Sequence, residues 1–371
     1  MLQNTKTISP PGSHVTTLEH SGVTEYFLTV LAEPGKPPAE MFERLDALLA
    51  KLDSPGILRM DILGKVNTQG TEQVQQNYCY NCDECALNQP LAGALGECPV
   101  AGVYVNAVSG GSLKPVWLGG RLVGNEFQDQ HIRYVLLDNL LPETRLNRTA
   151  QTHQVFERMG DTLKGLGMSF ANVARTWLFL NDILVWYDDF NRARDDFFKQ
   201  REVFDKIVPA STGVGGSNSA GTAIQASALA AEALSDQVTI QAIPSPLQCP
   251  ALDYGSSFSR AVEIATPEIK RLYVSGTASI DADGLTLYGD DIVAQIAYTM
   301  DVIHAILTSR SMDWKNVVRG VAYVRYKKDF DRFAEYCNDH KLPDMPIGLV
   351  QNDICRDDLL FELEVDAIKK A

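Results

Sequence analysis

One folding unit is written twice in this chain, and that repetition limits the architecture more than any other feature. Ala150 and Gln151 recur 144 residues on as Ala294 and Gln295. At the same spacing Leu163 meets Leu307, Met168 meets Met312, Asn172 and Val173 meet Asn316 and Val317, and Arg175 meets Arg319. Downstream the spacing shortens to 137, pairing Pro209 with Pro346 and Gln225 with Glu362. Self-similarity of this kind sets the plan of a fold before any element is assigned. The change of register places extra residues in the first copy, around Asp182 to Asp188 and near Val203.

Hydrophobic periodicity fills in the plan. Residues 1–17 read as a flexible tail. Residues 18–114 read as a partial α/β unit: a strand at 25–30, a helix at 40–52 with Met41, Leu45, Leu48, Leu49 and Leu52 at helical spacing, and strands at 57–63 and 103–108. A long polar loop with cysteines spans 68–99. This partial unit could be a degraded third relative of the repeat. The first full unit, 115–242, carries strands near Trp117, Val123 and 134–136, a helix at 151–166, a strand at 175–181, a helix at 189–203, and strands at 209–216 and 222–229. Pro244 and Pro246 mark a linker. The second full unit, 243–371, repeats the order: strands at 258–264 and 272–280, a helix at 290–309, a strand at 317–326, a helix at 329–338, and strands at 347–352 and 359–368. Grouped strands followed by helices on one side give an α+β class of mixed sheets, each covered by two helices.

A length of 371 residues allows at least two cores. The net charge of −14 argues against nucleic-acid binding, which needs a basic surface. The start has no apolar h-region and no apolar run approaches about 18 residues, so neither a secretion signal nor a membrane span is expected. Seven cysteines in such a chain are expected as reduced thiols in the cytoplasm. Cys79, Cys82 and Cys85 are spaced C-x2-C-x2-C, with Cys98 farther on. Four thiolates could hold zinc or an iron–sulfur cluster; free thiols or a local disulfide are the alternative. Nothing else in the sequence requires a cofactor.

Glu362 stands between Phe361 and Leu363 on an alternating strand, and Glu364 shares its face. A carboxyl half-buried among apolar residues keeps its proton near neutrality and can deliver it to the CH₂ carbon of an enol ether or enamine, then serve as base when water adds. A solvated strand glutamate is the alternative. Arg260 could hold a substrate carboxylate in a bidentate fork, or pair with Glu263. Arg175 and Arg319, repeated, read as an interface pair or as ligand contacts. Cys355 could line a pocket or be inert packing; no Cys/His pair is evident for covalent catalysis. Ser279 and the backbone of Gly276 could donate to a ligand, with a β-bulge as the alternative for the glycine. Gln225 cannot act as an acid, so the first copy is expected to be a structural or binding partner.

The second copy resembles the RidA/YjgF/YER057c/UK114 superfamily in the run Tyr273 to Ser279, the helix with Gln295, the strand 317–324 and the stretch Phe361-Glu362-Leu363-Glu364-Val365. The tandem arrangement is similar to chorismatases in Ser257 to Ala261, Ser275 to Ile280 and Asp353 to Glu362, and also to uncharacterised large RidA-like (endoribonuclease L-PSP-type) proteins. The resemblance implies tandem RidA/YjgF-like (chorismate-mutase-like) units, a homotrimer around a central barrel, and active sites between neighbouring units. It implies Glu362 as the catalytic acid/base and Phe258, Arg260, Gly276, Ser279, Arg319 and Cys355 around a small anionic metabolite. There are departures. Pro346 is followed by Ile347 and Gly348, where RidA deaminases carry an arginine. Phe258 stands where they carry tyrosine, and Arg260 where glutamine is usual. Residues 253–257 form a shorter stretch than chorismatases carry. The reading is a hydrolase of an enol ether, enamine or imine on a small carboxylate, chorismatase-like or imine-deaminase-like. A non-catalytic ligand-binding or chaperone-like protein is the alternative, and an endoribonuclease fits the −14 charge least.

Overall fold

Three sheets carry the fold. The computed structural model describes residues 12–33, 36–52, 54–64, 100–218 and 220–371. The N-terminal unit contributes β1 (Ser13–His20), β2 (Val23–Leu31), α1 (Pro38–Lys51), β3 (Gly56–Gly64) and β4 (Val100–Ser109). The first full unit follows as β5 (Ser112–Leu118), β6 (Arg121–Gln128), β7 (Ile132–Leu140), α2 (Arg148–Gly165), β8 (Val173–Leu180), α3 (Ile183–Gln200), β9 (Ala210–Gly215) and β10 (Ile224–Ala233). The second comprises β11 (Thr239–Ile243), β12 (Ala261–Ala265), β13 (Ile269–Ala278), α4 (Ile292–Ser309), β14 (Val317–Val324), α5 (Phe330–Asp339), β15 (Ile347–Gln351) and β16 (Phe361–Lys370).

The two six-stranded sheets have one topology, β5-β6-β7-β10-β8-β9 and β11-β12-β13-β16-β14-β15, with the last strand of each unit inserted at the centre. The N-terminal sheet, β1-β2-β4-β3, has the order of the four inner strands. The repeated polar residues explain themselves here. Gln151 and Gln295 are buried at their helix starts, and each accepts from the N–H that opens the central strand, at Ala223 (2.7 Å) and Leu360 (2.8 Å). Asn172 and Asn316 close the turns after α2 and α4, each accepting from a backbone N–H three residues earlier at 2.9 Å. The apolar faces of α2 (Val155, Phe156, Met159, Leu163) and α4 (Ile296, Met300, Ile303, Leu307) cover their sheets, each such side chain stabilising the fold by about 1.5–3 kcal/mol. By length and composition α4, 18 residues at hydropathy 1.3, could cross a membrane; here Ile296, Met300, Val302, Ile303, Ile306 and Leu307 are buried in the core, while Val293 is exposed.

Some boundaries differ from expectation. Ser13 to Thr17, read as tail, belong to β1, because Ser13 pairs across to Val30 and the hairpin buries Val15. Residues 239–242, assigned to the first full unit, belong to β11 and pair with β12 of the second sheet. The cysteine-bearing stretch with Cys79, Cys82, Cys85 and Cys98 lies outside the described residues.

The three sheets pack on one another around a common axis within the single chain. One buried cluster combines Leu58 and Val108 with Trp177 and Phe179 and with Val262 and Tyr323. Arg59, Arg175 and Arg319 occupy matching positions on β3, β8 and β14, and their guanidinium carbons lie 3.7, 4.8 and 5.6 Å from the Trp177 ring centroid. Ion pairs link the units: Arg175 to Glu364 at 2.8 Å and Arg319 to Asp61 at 3.4 Å. The three-sheet barrel that the resemblance implies for three chains is therefore assembled here from three units of one chain.

Candidate active site

A cavity of about 540 Å³ opens between the two full units. One wall comes from the first: α3 residues from Leu184 to Arg194, with Ser211 and Gly213 of β9. The other comes from the second: the segment entering β12 (Tyr254, Ser256, Phe258, Arg260), the end of β13 (Gly276, Ala278), the loop after β15 (Cys355, Arg356) and Glu362 on β16. The segment from Tyr254 to Arg260 is not strand; β12 begins at Ala261.

Glu362 is 4% exposed, opposite Ala278 on one side and Tyr323 on the other. The register of β13 slips between Val274 and Thr277, a bulge centred on Ser275 and Gly276. A Cβ at position 276 would fall 2.0 Å from Oε1 of Glu362, so only glycine leaves room for this carboxyl. Burial, then the neighbouring Glu364 charge, push Glu362 up to about 8, against a smaller pull from Arg175. At neutral pH it is an acid holding its proton in a site open to ligands. Glu364, two residues along, behaves oppositely. Burial alone would raise its pKa, but Arg319 and Arg175, each at 2.8 Å, together with the Thr212 hydroxyl, hold it below the ordinary range. The two carboxyls are thus pushed apart, one neutral and one charged, as acid/base sites require.

Arg260 is buried and aims into the cleft. Its Nε donates to the Cys249 carbonyl at 3.0 Å, while its Nη2 has no hydrogen-bond partner. Tyr254 and Phe258 flank it with ring centroids 5.3 and 5.6 Å from the guanidinium carbon. It makes no pair with Glu263, which is bound instead by Arg310. Across the cavity Arg194 is buried, donates to Asn191 at 2.7 Å and leaves its Nε unpartnered. Burial, then the nearby Glu362, push the Cys355 thiol up to about 12, so it lines the cleft as a neutral group rather than a thiolate nucleophile.

The structure gathers Glu362, Arg260, Phe258, Gly276 and Cys355 at this cleft. Ser279 and Arg319 are elsewhere. The Ser279 hydroxyl donates to the Leu287 carbonyl at 3.1 Å and pins a hairpin. Arg319 is buried at the axis among Glu364, Asp366 and Asp61, too committed to bind a ligand. The Gly276 N–H is also taken, by Thr212 at 3.0 Å. Tyr187, Arg194, Ser211 and Tyr254 were not anticipated. Only Tyr187 carries a signal, the insertion in the first copy: α3 has 18 residues where α5 has 10, and the excess, kinked at Trp186, contributes to the wall facing Glu362. The penultimate strand beside Glu362 is therefore β9 of the neighbouring unit, not β15. Its Pro209 is followed by Ala210, Ser211, Thr212 and Gly213, so this strand too lacks the arginine of RidA deaminases.

Among the described residues no group of His, Cys, Asp and Glu side chains is placed to hold a metal ion. The Endoribonuclease L-PSP family model matches residues 251–369. A 3-hydroxybenzoate synthase of Streptomyces hygroscopicus is 29% identical over 244 residues, spanning 58% of this chain and 68% of that protein. A chorismatase of Streptomyces rapamycinicus is 28% identical over 238 residues, spanning 58% and 69%. A chorismatase crystal structure superposes with a TM-score of 0.67 at 18% identity, covering 94% of this chain and 99% of that one, which establishes a common fold. With its repeat, its three packed sheets and these relatives, the chain is a large RidA-like protein similar to chorismatases.

Proposed function

We propose that this protein hydrolyses the enol-ether bond of a small dicarboxylate, with chorismate as the first substrate to test. The observation that carries the proposal is Glu362: a buried carboxyl with a pKa of about 8, open to a cavity of about 540 Å³. Enol-ether cleavage begins with proton transfer to the terminal CH₂ carbon, and that proton comes from Glu362. The resulting oxocarbenium ion sits beside the Glu362 carboxylate just formed, which stabilises it and then takes a proton from the attacking water. The hemiketal collapses, the C–O bond to the ring breaks, and pyruvate and an alcohol leave. No metal or redox group enters this balance.

Arg260 and Arg194, buried on opposite walls with unpartnered guanidinium nitrogens, suit a substrate carrying two carboxylates. Imine deamination is less well supported, because neither β9 after Pro209 nor β15 after Pro346 carries the arginine that binds the carboxylate in that chemistry. The test is incubation with chorismate, following pyruvate by an enzyme-coupled assay and the ring product by NMR. Pyruvate and an alcohol or phenol in equal amounts, abolished in Glu362→Gln, are expected. A wild-type protein that binds chorismate and returns it unchanged would overturn the enzymatic reading.

A further inference from the structure

Thr212, on β9, has three hydrogen-bond partners for its one hydroxyl. Its Oγ1 accepts from the Gly276 N–H at 3.0 Å and from Arg175 Nη2 at 2.5 Å, and it donates to Oε2 of Glu364. A hydroxyl offers one donor and two acceptor sites, so all three are used, and the side chain is fully buried. Ser211 and Gly213 on either side line the cavity. Thr212 points to the opposite face, as strand alternation requires, and does not line the cavity.

Both second-unit partners bear directly on Glu362. Gly276 is the bulge residue whose missing Cβ makes room for the Glu362 carboxyl, and the Thr212 methyl stands 3.2 Å from that same Cβ position. Glu364 is the charge on the same face of β16. We propose that Thr212 is a positioning residue for Glu362: its hydroxyl pins the Gly276 bulge and fixes Glu364, and so holds the catalytic carboxyl in place. The inference rests on Glu362 being the acid. It assigns the copy that lacks a glutamate a part in catalysis through one hydroxyl. Valine at 212 keeps the shape but strands the Gly276 N–H and takes one bond each from Arg175 and Glu364, which keep their mutual pair at 2.8 Å; serine restores all three bonds.

Two readouts on the full chain test this. The first needs no substrate: amide exchange at Gly276 and the titration midpoint of the Glu362 δ-carbon by NMR. Thr212→Val is expected to speed Gly276 exchange about tenfold, the effect of losing one buried hydrogen bond, and to move the Glu362 midpoint. Thr212→Ser is expected to match the wild type on both. The second is pyruvate release from chorismate, where Thr212→Val is expected to lower kcat about tenfold or more with little change in KM, since a displaced acid weakens the transition state alone. Thr212→Ser should recover it. Unchanged Gly276 exchange and an unchanged Glu362 midpoint in Thr212→Val overturn the proposal, as does a serine variant that behaves like the valine. If the valine chain does not fold, Thr212→Ala, which also lacks the hydroxyl, takes its place. A wild type that releases no pyruvate refutes the enol-ether reading, and the first readout still judges Thr212.

Discussion

Replacing Glu362 by glutamine probes both its chemistry and its burial. The side chain keeps its shape and stays neutral, as the acid is at neutral pH, but it has no proton to give. With a pKa of about 8, roughly nine-tenths of Glu362 is protonated at pH 7. Loss of a general acid is expected to lower kcat about 10²- to 10⁴-fold. The wild-type rate should fall as pH rises through about 8, where the acid is lost. Stability gives an independent readout. The folded pKa lies above the unfolded value of 4.5, so the native state keeps a proton that the unfolded chain releases. Folding is favoured least where both states are deprotonated, and stability falls with rising pH between about 4.5 and 8. A shift of this size corresponds to a few kcal/mol, on the order of 1.4 kcal/mol per pKa unit. Glu362→Gln removes that slope and should be the more stable protein at pH 9, by denaturant unfolding at pH 5 and pH 9. Parallel stability curves for the two proteins, or a variant that still releases pyruvate at the wild-type rate, would refute the reasoning.

Gly276→Ala places a methyl 2.0 Å from the Glu362 carboxyl oxygen. It should cost activity about as much as losing the acid while circular dichroism stays native, and a crystal structure should find the carboxyl displaced. Arg260→Ala should raise KM about 10- to 100-fold, the worth of one charge-assisted pair, with kcat less affected in steady-state assays. His20 is buried between Glu25 and Asp129 where the three units meet; burial alone would lower its pKa, but the Asp129 carboxylate 3.4 Å away and its hydrogen-bonded partner Glu25 raise it. Its contribution is fully present below about 6.5 and lost as pH rises through the higher folded value; His20→Gln should abolish that component in unfolding experiments across this range. With three units already closed around the axis, light scattering should give a solution mass near 40.8 kDa; a mass three times larger would point instead to the trimer that the resemblance implies.

The repeat made the architecture legible in the sequence alone. A side chain such as Gln151 or Asn172 recurs because its hydrogen bonds are local to the unit, to the start of a strand or across a turn. Local patterns of this kind, and the alternation that sets Glu362 and Glu364 on one face of β16, follow from the backbone geometry of helix and strand. The sequence also marked Glu362 against Gln225 as the point where the copies diverge.

Tertiary packing decided what lies opposite that glutamate. No periodicity tells that the insertion near Asp182 in the first copy becomes the wall facing the acid of the second, or that β9 rather than β15 stands beside it. Nor could recurrence separate Arg319 from Arg260: one is neutralised at the axis by Glu364, the other leaves a guanidinium nitrogen unpartnered in a cleft. The sequence determined the units and their candidate acid, because those depend on neighbours within one strand or helix. Only the closing of three sheets around Trp177 fixed which charges are satisfied and which remain for a ligand, because burial and Coulomb interactions depend on distances between residues far apart in the chain.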